Sequence, residues 1–267
     1  MFSYGHIFFI IISIIIICIS VFLCNKYKVG FDKMLNICLV FGVISETIKL
    51  FALTTIVPIV EPAIENGELV YKSTNLYTPY LRTVHLPLEL CSLNILFMLV
   101  LKYTKNIKVK QIMVSILYAS CIIGGFFGIV LSSIVAHTDT MSLILSIRSW
   151  QFFIYHSMLI VFGIYLYKND TYKIKYENLK YVFTLLFILE IGMLYINSIF
   201  IIPVFKNPDT VIGARNINNF LSTYNNPFHI IMDTKLKWIA YLLLKYTIEI
   251  LLINILFLPF KERHTSK

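Results

Sequence analysis

The sequence predicts an all-α, polytopic membrane protein: a bundle of seven transmembrane helices with the N-terminus outside and the C-terminus in the cytoplasm. Three observations predict it. Of the 267 residues, 58% are hydrophobic and the mean hydropathy is +0.79, above the roughly 45–50% apolar content of soluble domains. The apolar residues fall in runs close to the about 20 helical residues that cross a ~30 Å hydrocarbon layer. The basic residues are distributed unequally, with 14 Lys and Arg in the segments on one side of these runs and 7 on the other, and the richer side is the cytoplasmic one. No polar stretch is long enough for a separate soluble domain, so residues 1–267 read as a single transmembrane domain in the cell membrane.

Taken in order, the first span (about 7–24) lies in MFSYGHIFFIIISIIIICISVFLCNKYK. It has the length of a signal peptide, but its positive charges follow the apolar run, so it reads as an uncleaved span that starts outside. Span two (about 34–57) carries Glu46 and Lys49. Span three (about 84–101) opens with HLPLELCS, in which Pro87 occupies the first turn, where proline is tolerated. On a regular helix His85, Glu89 and Ser92 would share a face. Cys91 would lie about 160° from Glu89, nearer Leu88 and Asn94. Span four (about 112–135) has no charged residue, and span five (about 150–167) carries His156. Span six (about 180–205) holds Glu190 and Asn197, and span seven (about 236–258) holds Lys245 and Glu249. Two longer outside loops, about 58–83 and 206–235, contain Asn, Gly and Pro, which predict ordered turns rather than long helices.

The formal charge of +9 belongs to lysines in short loops. Topology accounts for them, and no nucleic acid partner is expected. The five cysteines, Cys18, Cys24, Cys38, Cys91 and Cys121, lie in or at the edge of spans. They form neither a CxxC pair nor a cluster with histidine, so neither a disulfide framework nor a metal site is expected, and nothing calls for a cofactor.

Ionisable groups inside hydrocarbon cost roughly 2.5–3.5 kcal/mol each and should face partners in the bundle. Glu46 with Lys49 and Lys245 with Glu249 have the spacing to pair along one helix, whereas Glu190 has no partner on its own. At 1.5 Å per residue, Cys91 lies about 10 Å and His156 about 9 Å below the outer face, with Asn197 about 12 Å and Glu46 about 16 Å deep. A thiol with an ordinary pKa near 8.5 is mostly protonated, and a neighbouring histidine can take its proton. The thiolate can then attack an ester to form an acyl-thioester. The alternative reading of Cys91 is a small packing residue, the usual state of a buried cysteine.

HLPLELCSLNI, followed by FFIYHSMLIVFGIYL, resembles the transmembrane protein 164 family and its bacterial YwaF-like branch. ISETIKLF in span two, ARNINNFLSTYNNP and KWIAYLLL are similar to further segments of that family, and the resemblance covers roughly residues 34–258. It implies a seven-span enzyme that moves fatty acyl chains between phospholipids and lysophospholipids without acyl-CoA. Carried over by motif, Cys91 holds the acyl group and His156 assists it. Asn94, Asn197 or backbone amides near Pro87 would stabilise the oxyanion, with Glu46 and Glu89 nearby. Arg82 and Arg148, near the outer interface, suit a lipid phosphate, or simply snorkel there. A second class of function is an ion-coupled carrier using Glu46, Glu190, Glu249, Lys49 and Lys245.

Overall fold

The apolar runs form helices whose ends are set by local chemistry. The computed structural model describes residues 3–65, 68–132, 139–169, 171–207, 210–216 and 234–262. Among these are eight α-helices: α1 (Tyr4–Lys26), α2 (Phe31–Leu53), α3 (Leu90–Tyr103), α4 (Ile107–Val130), α5 (Thr140–Leu145), α6 (Ile147–Lys168), α7 (Leu179–Ile199) and α8 (Lys235–Glu262). Six of them are long and apolar enough to cross a membrane, and α3 is a shorter apolar helix. Ser3 caps α1 by accepting from the His6 amide, and Asn106 caps α4 by accepting from the amides of Lys108 and Val109. Such caps satisfy amides that a helix cannot satisfy itself.

The helical fold class holds, and the boundaries differ from expectation where proline and β-branched residues meet. The runs TIVPIV and IIPV extend the predicted spans two and six, but both belong to strands. β1 (Thr55–Glu65) pairs antiparallel with β2 (Glu68–Tyr80), from Thr55 opposite Tyr80 to Glu65 opposite Glu68. β3 (Ile201–Asn207) pairs in the same way with β4 (Thr210–Asn216). Hydropathy cannot distinguish a β-branched strand from the end of a span; Pro58 and Pro203 oppose continuation of the helix, and the edge strands of a two-stranded hairpin tolerate them. The first hairpin shifts register between Pro58 and Val60, as expected where a residue lacks its ladder donor. The Asn-rich segment after Asn216 lies outside the described residues.

Span three departs most. Residues 84–89 are not part of the helix: a 3-10 turn at Thr83–His85 is followed by extended backbone at Leu86 (ψ 148°). Proline imposes that conformation on the residue before it, so Pro87 precedes the helix and His85, Glu89 and Ser92 do not form one helical face. The 14 residues of α3 span about 21 Å, short of a ~30 Å hydrocarbon layer. The depth reckoned for Cys91 from a helix beginning at Val84 therefore does not apply.

α4 and α6 are the most buried of the long helices and pack closely on each other. A side-chain carbon at Gly125 would stand 2.6 Å from Ile160 and 2.9 Å from the His156 carbonyl, and one at Gly163 would stand 2.5 Å from Ile122. Small residues allow this approach where water supplies no hydrophobic drive between helices. α2 and α3 complete the centre through Met34, Leu35, Cys38, Met98 and Leu101. α1 leans on α6, and α7 packs on α4 and α8. Large apolar side chains on the far faces of α1, α2, α7 and α8, such as Phe22, Phe51, Phe187 and Leu243, remain exposed, as lipid-facing residues do.

The short helix α5 gives a pH test. The Asp139 side chain accepts from the amides of Met141 (3.0 Å) and Ser142 (3.1 Å). Hydrogen bonds from Ser142, its hydroxyl first and then its amide, hold the Asp139 carboxyl below the usual carboxylate range. The folded value is thus below the unfolded value of about 3.9, so the cap is fully effective above that pH and is lost as pH falls through the folded value. Amide protection of Met141 and Ser142, measured by hydrogen exchange, should fall below about pH 4. Asp139→Asn, still a good cap, should abolish that pH dependence.

Candidate functional site

Three elements meet around the start of α3. Glu89 is the N-cap residue and makes no side-chain cap bond; the amides of Leu90, Cys91 and Ser92 that follow have no acceptor within the helix. Cys91 is half-buried in this first turn. Its carbonyl accepts from the Tyr155 hydroxyl of α6 at 2.8 Å, which ties the turn to the residue beside His156. Leu90 packs over Gly124 of α4, and the His156 ring packs over Gly128, one turn further along the same helix. Leu90, the neighbour of Cys91, and His156 thus pack on glycines one turn apart on α4. Among the described residues no hydrogen bond joins the Cys91 sulfur to the imidazole.

His156 is buried, at 4% exposure. Its Nδ1 donates to the Phe152 carbonyl at 2.7 Å. A carbonyl can only accept, so the proton is on Nδ1 and Nε2 of the neutral ring is left as the basic nitrogen. A side-chain carbon at Gly128 would overlap the ring, 2.5 Å from Nε2, so the absence of a side chain there makes room for the imidazole. Asn94 lies three residues after Cys91 on α3, is fully buried, and accepts from Ser120 of α4 through Oδ1 at 2.6 Å. Its Nδ2 has no hydrogen-bond partner among the described residues, an omission that costs about 1–3 kcal/mol.

A polar cluster flanks the thiol. Glu46 pairs with Lys49 and accepts from the Ser92 hydroxyl at 2.6 Å, while Lys49 reaches Ser92 at 3.4 Å. Arg148 donates to Gln151, which donates to Ser45 of α2. The Arg148 guanidinium also lies over the Phe152 ring, 5.6 Å from its centre. Lys49 and Arg148 both lie within electrostatic reach of Cys91 and of His156, and the carboxylates of Glu89 and Glu46 are within reach of the thiol as well.

Of the residues singled out in the sequence, Cys91, His156, Asn94, Glu46 and Arg148 come together, as does Glu89 at the head of α3. Arg82 is exposed before the 3-10 turn, and Asn197 is buried near the end of α7, which packs chiefly on α4 and α8. Glu190 finds its partner across the bundle: Lys245 of α8 pairs with Glu190 and, at 3.0 Å, with Glu249. Sequence reasoning missed Tyr155, Gly128, Gln151 and Ser120. Only the adjacency of Tyr155 to His156, and GGFFG at 124–128 in a span, offered any signal.

Behind Leu90, a cavity of about 70 Å³ lies between α3, α4, α7 and α8. Its walls are apolar apart from Ser120 and Glu249.

A family model described as the TMEM164 family matches residues 1–258. The chain belongs to the TMEM164 family. No curated protein and no solved structure matches it. Family membership covers every residue of the site above, from Glu46 to His156, and with the six long apolar helices it makes the chain a membrane protein with several transmembrane helices.

Proposed function

We propose that this TMEM164 family member is a phospholipid acyltransferase of the cell membrane, working through Cys91 and His156 on the outer side of seven crossings, with its C-terminus in the cytoplasm. The seventh crossing is α3 together with the non-helical residues before it. Irregular backbone at membrane depth is tolerated where protein or a cavity surrounds it. The observation that carries the reading is the unpartnered, buried Asn94 Nδ2, a donor one turn from the thiol.

Each step balances. The thiol proton passes to Nε2 of His156 as sulfur bonds to the ester carbonyl carbon of a phospholipid. The oxyanion takes hydrogen bonds from Asn94 Nδ2 and the free amides of the first turn of α3. The carbon–oxygen bond then breaks, and the imidazolium gives its proton to the departing lysolipid oxygen, which leaves as a hydroxyl. In the second half, the hydroxyl of another lysolipid gives its proton to His156 as its oxygen bonds to the thioester carbon, the carbon–sulfur bond breaks, and the imidazolium returns the proton to the sulfur, restoring the thiol. Substrate binding has to bring the sulfur and Nε2 into contact, since catalytic hydrogen bonds often tighten only in the complex. Arg148 and Lys49 would hold the lipid phosphate, and the acyl chain would stay in the bilayer.

The test is intact mass spectrometry of purified protein incubated with phospholipid and lysolipid. A fatty-acyl adduct on Cys91 is expected, absent in Cys91→Ser. Asn94→Ala should slow transfer by about 10²–10³-fold while the protein stays folded. Folded protein with no adduct and no lipid remodelling overturns the reading. An ion-coupled carrier would instead tolerate Cys91→Ser and fail on Glu190→Gln.

A further inference from the structure

A second cavity, of about 300 Å³, opens between the end of α1 and the last turns of α6. Lys168 lies twelve residues beyond His156 on α6, about 18 Å along the helix, so this cavity is separate from the Cys91 site. Four polar side chains rim it: Asn25, Lys28, Lys168 and Asn169. Val21, Val161 and Ile164 form an apolar wall. Among the described residues no carboxylate lines it, and neither Lys28 nor Lys168 has an ion-pair partner. Asp32, exposed on the first turn of α2, is within electrostatic reach of Tyr165 but does not line the cavity.

Lys28 is held there at a cost. α1 ends in a Schellman motif: the Val29 amide donates to the Cys24 carbonyl (3.2 Å) and the Lys28 amide to the Asn25 carbonyl (3.3 Å). The residue between those bonds has to be left-handed, and Lys28 has φ 44°. Glycine is the usual residue at that position because a Cβ is strained there. The next carbonyl, of Val29, accepts from the Tyr165 hydroxyl (2.9 Å), which accepts in turn from Asn169 (3.0 Å). This chain of bonds locks the strained turn to α6 and sets both lysines at one mouth. Lysines near helix ends also complement the negative dipole there, but two helix ends amount to about one negative charge against two full positive ones.

We propose that this cavity binds the phosphate of an anionic membrane lipid, with the two ammonium groups and the asparagine amides on the headgroup and the apolar wall along its glycerol and first methylenes. The site stands at the end of the bundle that the lysine distribution assigns to the cytoplasm. It does not depend on acyl transfer at Cys91.

The test uses the full-length protein in detergent, offered phosphatidylglycerol or phosphatidylcholine and examined by native mass spectrometry. Wild type should retain phosphatidylglycerol preferentially. Lys28→Gln with Lys168→Gln should lose at least about tenfold of that preference, whereas Lys26→Gln with Lys173→Gln, equal in charge but outside the cavity, should keep it. Equal loss in both pairs overturns the proposal in favour of general surface charge. Displacement of the lipid by millimolar inorganic phosphate overturns it in favour of a free-anion site. Lys28→Gly separates the strain from the ligand: it should raise the melting temperature of the lipid-free protein while weakening phosphatidylglycerol retention. A glycine variant that retains the lipid as wild type does overturns the assignment of Lys28.

Discussion

Replacing Lys245 with methionine is expected to destabilise the protein by about 3–5 kcal/mol, the usual cost of removing one partner from a buried ionic group. Lys245 stands between Glu190 on α7 and Glu249 on its own helix, and the three side chains are only 12–22% exposed. Without the ammonium, two carboxylates face each other in a largely apolar setting, where their repulsion is weakly screened. The readout is melting temperature and monodisperse yield in detergent. Lys245→Met combined with Glu190→Gln and Glu249→Gln should recover most of the loss, since a neutral, similarly shaped replacement of an entire ion group is often tolerated. A single variant as stable as wild type would mean that the triad contributes nothing to α7–α8 association.

The same triad marks how far the sequence could be read. The pairing of Lys245 with Glu249 follows from their spacing of four on one helix, and Glu46 with Lys49 from a spacing of three. The bond to Glu190 crosses between helices, so only the rule that intramembrane charges find partners pointed to it. Helix existence was legible because apolar length is a one-dimensional signal. The two hairpins were not, because TIVPIV and IIPV satisfy a hydropathy window as well as a strand does. That Leu86 lies outside α3 was legible in principle, from the effect of Pro87 on it, whereas the start at Leu90 was not, since proline is tolerated at a first helical position.

The candidate site divides in the same way. Cys91, His156 and Asn94 stand out in the sequence because reactive or polar groups in a span are few. Their supports do not. Tyr155 reads as an ordinary aromatic, and its hydroxyl bond to the Cys91 carbonyl is a product of how α6 faces α3. Gln151, which links Arg148 to α2, reads as an interfacial polar residue. Such positioning contacts arise only once helices are packed, and spacing along the chain carries no trace of them.

Gly128→Ala is expected to cost about 1–3 kcal/mol, the range for over-packing a filled core, and to abolish any chemistry that depends on the imidazole. The methyl would enter the volume of the His156 ring. The ring cannot simply swing aside, because Nδ1 is bonded to the Phe152 carbonyl one turn back and Phe152 packs against the ring face, with centroids 4.0 Å apart. Either the histidine breaks that bond, exchanging its tautomer and orientation, or α4 moves off α6 at the point where Gly125 and Gly163 hold the helices close. The two outcomes separate in a double-mutant cycle with His156→Ala. If the clash is with the ring, His156→Ala removes it, and the double variant should be more stable than Gly128→Ala alone. If the helices themselves are forced apart, the two costs should add. Gly125→Ala gives the contrast, since its methyl would meet the Ile160 side chain and the His156 carbonyl, so His156→Ala should not rescue it. Rescue at 128 and none at 125 would establish that Gly128 makes room for the imidazole and Gly125 for the helix backbone.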